Sequence, residues 1–198
     1  MARKAATLTT IDDPEKIAVL ATPIRVELAT AIQALGGEAT VAELAAQLGR
    51  PADGLYYHLR ALVKGGLLEE RAGTSGRSFR LAVPAGQSLS LRYKPGATAN
   101  AKAVARVASS MSRLAQRDFV RALGQADTVV SGPSRELWAA RLTGWVDPAE
   151  LAEVNGLLRR LADLLLGTRP ARGGKRIALH WMLAPLDAKP ARRPKPEA

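Results

Sequence analysis

The sequence predicts a mainly α-helical chain with a small β component: a body of short helices closed by a β-hairpin, then a C-terminal α+β region. Three observations carry this reading. Thr40-Val41-Ala42-Glu43 has the form of a capping box at the start of a short apolar helix. Gly65-Gly66 ends a second helix and is followed by two short stretches around a Gly-rich turn. Beyond Pro95, apolar residues recur at helical spacing over two long stretches.

The elements follow in order. Residues 1–11 read as a loose leader. Asp13-Pro14 gives an N-cap and a proline at the first helical position, opening a helix to about Ala21. Thr22-Pro23 opens another, with Ile24, Leu28, Ala31, Ile32 and Leu35 on its apolar face and Gly36-Gly37 at its end. The capped helix follows, with Val41, Leu44, Ala45 and Leu48 facing inward and Gly49 closing it. Arg50-Pro51 starts the next, held by Leu55, Leu59, Leu62 and Val63. Leu67–Arg71 and Ser78–Val83 are predicted strands of a hairpin, and Ser88–Tyr93 is a further strand candidate.

A long helix is expected from Ala99 to Leu123, its inner face marked by Val104, Val107, Ala108, Met111, Leu114 and Ala115. Glu136–Val146 is ambiguous between strand and helix, and strand is preferred. Asp147-Pro148 caps a helix whose Leu151, Val154, Leu158, Leu161 and Leu165 form a narrow seam of the kind that joins helix pairs. Gly167–Lys175 reads as a basic loop, and alternating Ile177, Leu179, Trp181 and Leu183 predict a strand over 176–183. Ala188–Ala198 is rich in proline and basic residues and is expected to be disordered.

Residues 40–83 matter most when taken together. A capped helix, a tight turn, a second helix and a Gly-rich hairpin, in that order, make a winged helix-turn-helix. The second helix, about 51–64, is the expected recognition helix, and the hairpin, about 67–83, the wing. The major groove admits a helix, and the side chains that the apolar stripe leaves outside suit it. Arg60 can read guanine through its two-pronged guanidinium, Lys64 neutralises phosphate, and Tyr56 and Tyr57 can donate to phosphate or pack on a thymine methyl. Asp53 can accept from cytosine. Arg50, His58, Thr74, Ser75 and Arg77 complete the expected DNA-contacting set, Arg77 at phosphate or in the minor groove.

Val19-Leu20-Ala21-Thr22-Pro23-Ile24-Arg25, Val41-Ala42-Glu43-Leu44-Ala45 and Leu55-Tyr56-Tyr57-His58-Leu59-Arg60-Ala61-Leu62, with Gly65-Gly66-Leu67-Leu68 after them, resemble ArsR-type winged-helix regulators over residues 12–83. The resemblance implies a dimeric transcriptional regulator, usually a repressor, released from DNA by a signal. It does not extend to metal sensing. The chain has no Cys and only two His, and neither His58 nor His180 reads as a ligand.

The net charge of +11 suits an anionic partner, but residues 1–95 carry only +3 of it and residues 96–198 the other +8. Arg113, Arg117 and Arg121 recur every four residues, a stripe better read as a solvated face than as a contact to DNA flanks. Trp138, Trp145 and Trp181 read first as core and second as the lining of an effector pocket. No Gly-rich phosphate loop, zinc-binding His pair or nucleophile elbow is present, so no catalysis and no cofactor are expected. No apolar run is long enough to span a bilayer and no secretion signal is visible, which places the chain in the cytoplasm.

The expected organisation is a DNA-binding domain at 12–95, a dimerisation and candidate effector region at 96–186 and a basic tail at 187–198. The expected partners are double-stranded DNA with a roughly palindromic operator, a second copy of the chain, and a small-molecule effector. The alternative is a basic RNA- or protein-binding module that uses a winged helix without operator recognition.

Overall fold

A computed structural model describes residues 7–73, 76–84, 87–166 and 174–187. Two small sheets and six helices occur among them. The chain opens with strand β1 (Thr7–Ile11), which runs parallel to β5 (Gln87–Leu91) in a two-stranded sheet. The expected loose leader is corrected from residue 7 onward. The short run Leu8–Ile11 becomes a strand only because a segment about eighty positions away pairs with it, and no local pattern announces that.

Helix α1 (Pro14–Val19) has the predicted cap: the Asp13 carboxylate accepts from the Glu15 amide at 2.9 Å. Helix α2 (Pro23–Ala34) follows, then a three-residue strand β2 (Glu38–Thr40) that the sequence did not announce. Thr40 ends β2 and caps α3 (Val41–Leu48). Its Oγ accepts from the Glu43 amide at 3.2 Å while the Glu43 carboxylate accepts from the Thr40 amide at 2.7 Å, so the capping box is complete. Gly49 ends α3 in the left-handed region at φ 61°, where a side chain is strained.

Helix α4 (Asp53–Lys64) buries Leu55, Leu59 and Leu62. Strands β3 (Leu68–Gly73) and β4 (Gly76–Leu81) form the predicted hairpin, with β4 central between β2 and β3, all antiparallel. Phe79 and Leu81 of β4 enter the core beneath α2 and α3. Gly65, between α4 and β3, is present for room: a Cβ there would lie 2.6 Å from Val19 Cγ2.

Helix α5 (Thr98–Leu123) packs along α1 and α2. Ala103 and Val107 belong to the same core as α2–α4, so no break in packing occurs at the expected boundary near Gly96. Two buried polar side chains fix its position. Asn100 accepts from the Lys94 amide at 2.9 Å and donates to the Arg92 carbonyl at 3.1 Å. Ser110 donates to the Ala21 carbonyl between α1 and α2 at 2.8 Å. The buried line is Asn100, Ala103, Val107, Ser110 and Leu114; Val104, Ala108, Met111 and Ala115 are only partly buried. Two polar residues therefore take inner positions that the apolar pattern assigned elsewhere.

The remainder differs from expectation. Helix α6 (Pro148–Leu166) forms as predicted, capped by reciprocal bonds of 2.8 Å between Asp147 and Glu150. None of its residues is buried. The strands expected over 136–146 and 176–183 are absent: both segments lack regular secondary structure. A strand exists only when another strand satisfies its amide and carbonyl groups, and none lies beside either segment among the described residues. Residues 167–173, within the expected basic loop, and the tail 188–198 lie outside the described residues.

Candidate nucleic-acid interface

Helix α4 presents two unlike faces. Leu55, Leu59 and Leu62 hold it to α2, α3 and β3. Asp53, Tyr57, Arg60 and Lys64 follow at steps of four, three and four, which puts them on one stripe, and all four are exposed. Tyr57 is a large aromatic left 71% exposed. Its ring meets His58 edge-on, with centroids 5.1 Å apart. Tyr56 departs from the expected DNA face. It packs against the core partly buried, because position 56 flanks the buried Leu55–Leu59 edge.

Beside the first turn of α4 lies a cavity of about 460 Å³ whose lining includes Thr22, Arg50, Gly54, His58 and Arg117. The helix begins after Ala52 with no side-chain cap, so its leading amides keep their donor capacity. Glu27 of α2 ties the cationic groups together. Its carboxylate accepts from Arg117 at 2.6 and 3.1 Å and from Arg50 at 3.3 Å. Burial pushes the Glu27 carboxyl upward, but the two guanidiniums outweigh it and hold it below the ordinary carboxylate value. Arg117 is raised in turn, chiefly by its bond to Glu27.

Arg117 is thus no member of a freely solvated stripe. It links α5 to α2, and through Glu27 to the turn before α4. No sequence signal marks this pair, since its members stand 90 residues apart. His58 is depressed by burial first, then by the nearby Arg25 and Arg50 cations. Its Nδ1 is buried without a hydrogen-bond partner, as is Arg25 Nε. His58 therefore faces this cavity and not the outer stripe. Arg50 and Arg117 are matched by Glu27 and Asp118, so what this site offers an oxyanion such as phosphate is the uncapped first turn of α4 together with the nearby Arg25 cation.

The hairpin carries both signs. Arg77 is exposed and pairs with Glu70 at 3.2 Å; Arg71 pairs with Glu69 at 3.4 Å. Thr74 and Ser75, the expected contacts at its tip, lie outside the described residues. Trp138, Trp145 and Trp181 are exposed rather than core, and none lines the cavity beside α4 or the groove formed by Ala21 and α5. The Arg135 guanidinium stacks on Trp138 at 4.0 Å.

Residues 20–71 match the model of a family described as a helix-turn-helix domain. The match runs from just after α1 into β3 and so takes in the α2–α4 body, the exposed stripe and the cavity lining other than Arg117. It supports a DNA-binding regulator. Comparison with curated proteins and with solved structures gave no significant match. Among the described residues, no helix is long and apolar enough to cross a membrane.

Proposed function

We propose that the chain is a sequence-specific transcription regulator of the ArsR type, a repressor, which binds duplex DNA through α4 as recognition helix and the β3–β4 hairpin as wing. The stripe Asp53, Tyr57, Arg60 and Lys64 carries the reading, because it leaves hydrogen-bonding and aromatic groups exposed on a helix whose other face is locked into a core. Arg60 reads a base, Lys64 meets phosphate, and the first turn of α4 with Arg50 seats a neighbouring phosphate. The regulator acts in the cytoplasm as a two-fold dimer. Its operator is roughly palindromic, with half-sites one or two turns of DNA apart, each turn about 10–10.5 bp. No effector is assigned to the tryptophans, which the single chain leaves exposed.

The test separates reading from positioning. Operator, single-base variants and random duplex are titrated at several salt concentrations. Arg60→Ala should cost about 1–3 kcal/mol on the operator and relax preference at one base pair per half-site. Arg77→Ala should weaken all duplexes evenly and lower the salt slope by about one unit per contact. Wild-type affinity in both variants overturns helix-in-groove docking and favours an RNA- or protein-binding module.

A further inference from the structure

We infer that residues 137–146 and 176–183 are the strands of an intermolecular sheet, completed by the same segments of a second copy of this chain and backed by α6. The inference deepens the dimer reading above by naming its surface; it does not depend on DNA binding.

Three observations carry it. The first is apolar exposure in one continuous part of the chain. Leu142 is 92% exposed, and Trp138, Trp145, Ile177, Trp181 and Leu183 are all exposed. On α6, Leu151, Leu157 and Leu161 are exposed as well. More than a dozen such side chains present on the order of 1,000 Å² of apolar area per copy, above the about 800 Å² per partner that a standard stable interface buries. Monomers rarely leave that much apolar surface in water, and a second copy buries it by gathering these side chains.

The second observation is the backbone. Ile177, Leu179, Trp181 and Leu183 alternate as in a strand and 136–146 is a strand candidate, yet no backbone hydrogen bond joins 137–146 or 176–183 to another segment among the described residues. Lys175 Nζ lies 2.8 Å from Glu136 Oε1, so a side-chain ion pair ties the starts of the two segments, yet they form no ladder. Apart from Leu137, which is buried and whose carbonyl accepts from Arg135 Nε at 2.7 Å, their amides and carbonyls have no backbone partner among the described residues and suit strand addition. The third observation is fit. Ten residues of strand at about 3.3 Å each span about 33 Å, and the 19-residue α6 spans about 28 Å, so helix and strand layer match in length.

A second copy is the occupant that the charges favour. α6 carries Glu150 and Glu153 near its start, Arg159 and Arg160 further on and Asp163 near its end, a nearly balanced set, so like surfaces meet without strong repulsion and nothing there selects a polyanion. An isologous interface requires such self-complementarity.

All three tryptophans of the chain lie in these segments, so intrinsic fluorescence reads this surface alone. The experiment measures mass by light scattering, tryptophan emission against concentration, and hydrogen exchange, on the full chain. Wild type should show twice the monomer mass at micromolar concentration, an emission shift to shorter wavelength over the same range, and protected amides at 137–146 and 176–183. Leu142→Arg and Leu161→Arg should halve the mass, reverse the shift and abolish that protection, with helix content unchanged. Leu8→Arg, an exposed site on β1, should leave the dimer intact. A wild type that is monomeric at tens of micromolar overturns the inference. So do protected segments in a monomer, which would mean closure within one chain, and so does a dimer that survives both arginine variants. A dimer that behaves as expected but binds no duplex upholds the inference while the DNA reading fails; a monomeric wild type that binds a half-site does the reverse.

Discussion

Glu27→Gln tests the link between α5 and the turn before α4. The carboxylate makes three hydrogen bonds, two to Arg117 and one to Arg50, and its side chain is only 13% exposed. The amide keeps one acceptor oxygen, removes the charge and turns an NH₂ donor toward a guanidinium. Bonds to charged groups contribute about 1.5–3 kcal/mol in net terms. Arg117 retains Asp118 at 2.6 Å, and both arginines are partly solvated, which lowers the figure. The expected loss is about 1–2 kcal/mol, or a Tm lower by about 2–8 °C for a chain of this size. The sign against pH is fixed by the depressed carboxyl. The stabilisation is fully present above its ordinary value of 4.5 and is lost as pH falls through the lower folded value. Thermal unfolding of wild type and variant, followed by circular dichroism from pH 7 down to 3, should therefore show a gap that closes in acid. Equal stability at pH 7, or a gap that stays constant into acid, would refute the reasoning.

Three further outcomes are expected. Leu59→Ala, at a side chain with no exposure, should cost about 2–5 kcal/mol, read as a lower denaturant midpoint with an unchanged slope. Thr40→Ala should cost about 1 kcal/mol by opening the capping box, and Thr40→Ser should restore most of it. His58 is depressed in the folded chain, so the unfolded chain takes up its proton first. Stability should fall as pH drops below the ordinary imidazole value of 6.5, and melts of His58→Gln over the same range should show a shallower decline.

What the sequence made legible was what local chemistry decides. The caps at Asp13, Thr40 and Asp147 and the stops at Gly36-Gly37, Gly49 and Gly65-Gly66 bracket α1–α4 and the start of α6 to within a few residues. The hairpin followed from alternation around a glycine turn. What escaped depends on distant partners. β1 and β2 are three to five residues long and exist because β5 and β4 lie beside them. The alternating segment 176–183 and the ambiguous segment 136–146 have no adjacent strand among the described residues. In the candidate interface, the outer stripe of α4 was readable from helical period alone, whereas the inward turn of Tyr56 and His58 was not. Asn100 and Ser110 were passed over because a buried polar residue is recognised only by its partners, here the carbonyls of Arg92 and Ala21.

Gly65 has a consequence for how the two halves of the chain are coupled. Its Cα approaches Val19 so closely that a single added methyl group would overlap the valine at 2.6 Å. Val19 closes α1, and α1 is one of the two helices on which α5 rests. The end of α4 therefore comes this close to the end of α1 only because position 65 lacks a side chain, and any other residue there would have to displace Val19 or move α4 away from the helix on which α5 rests.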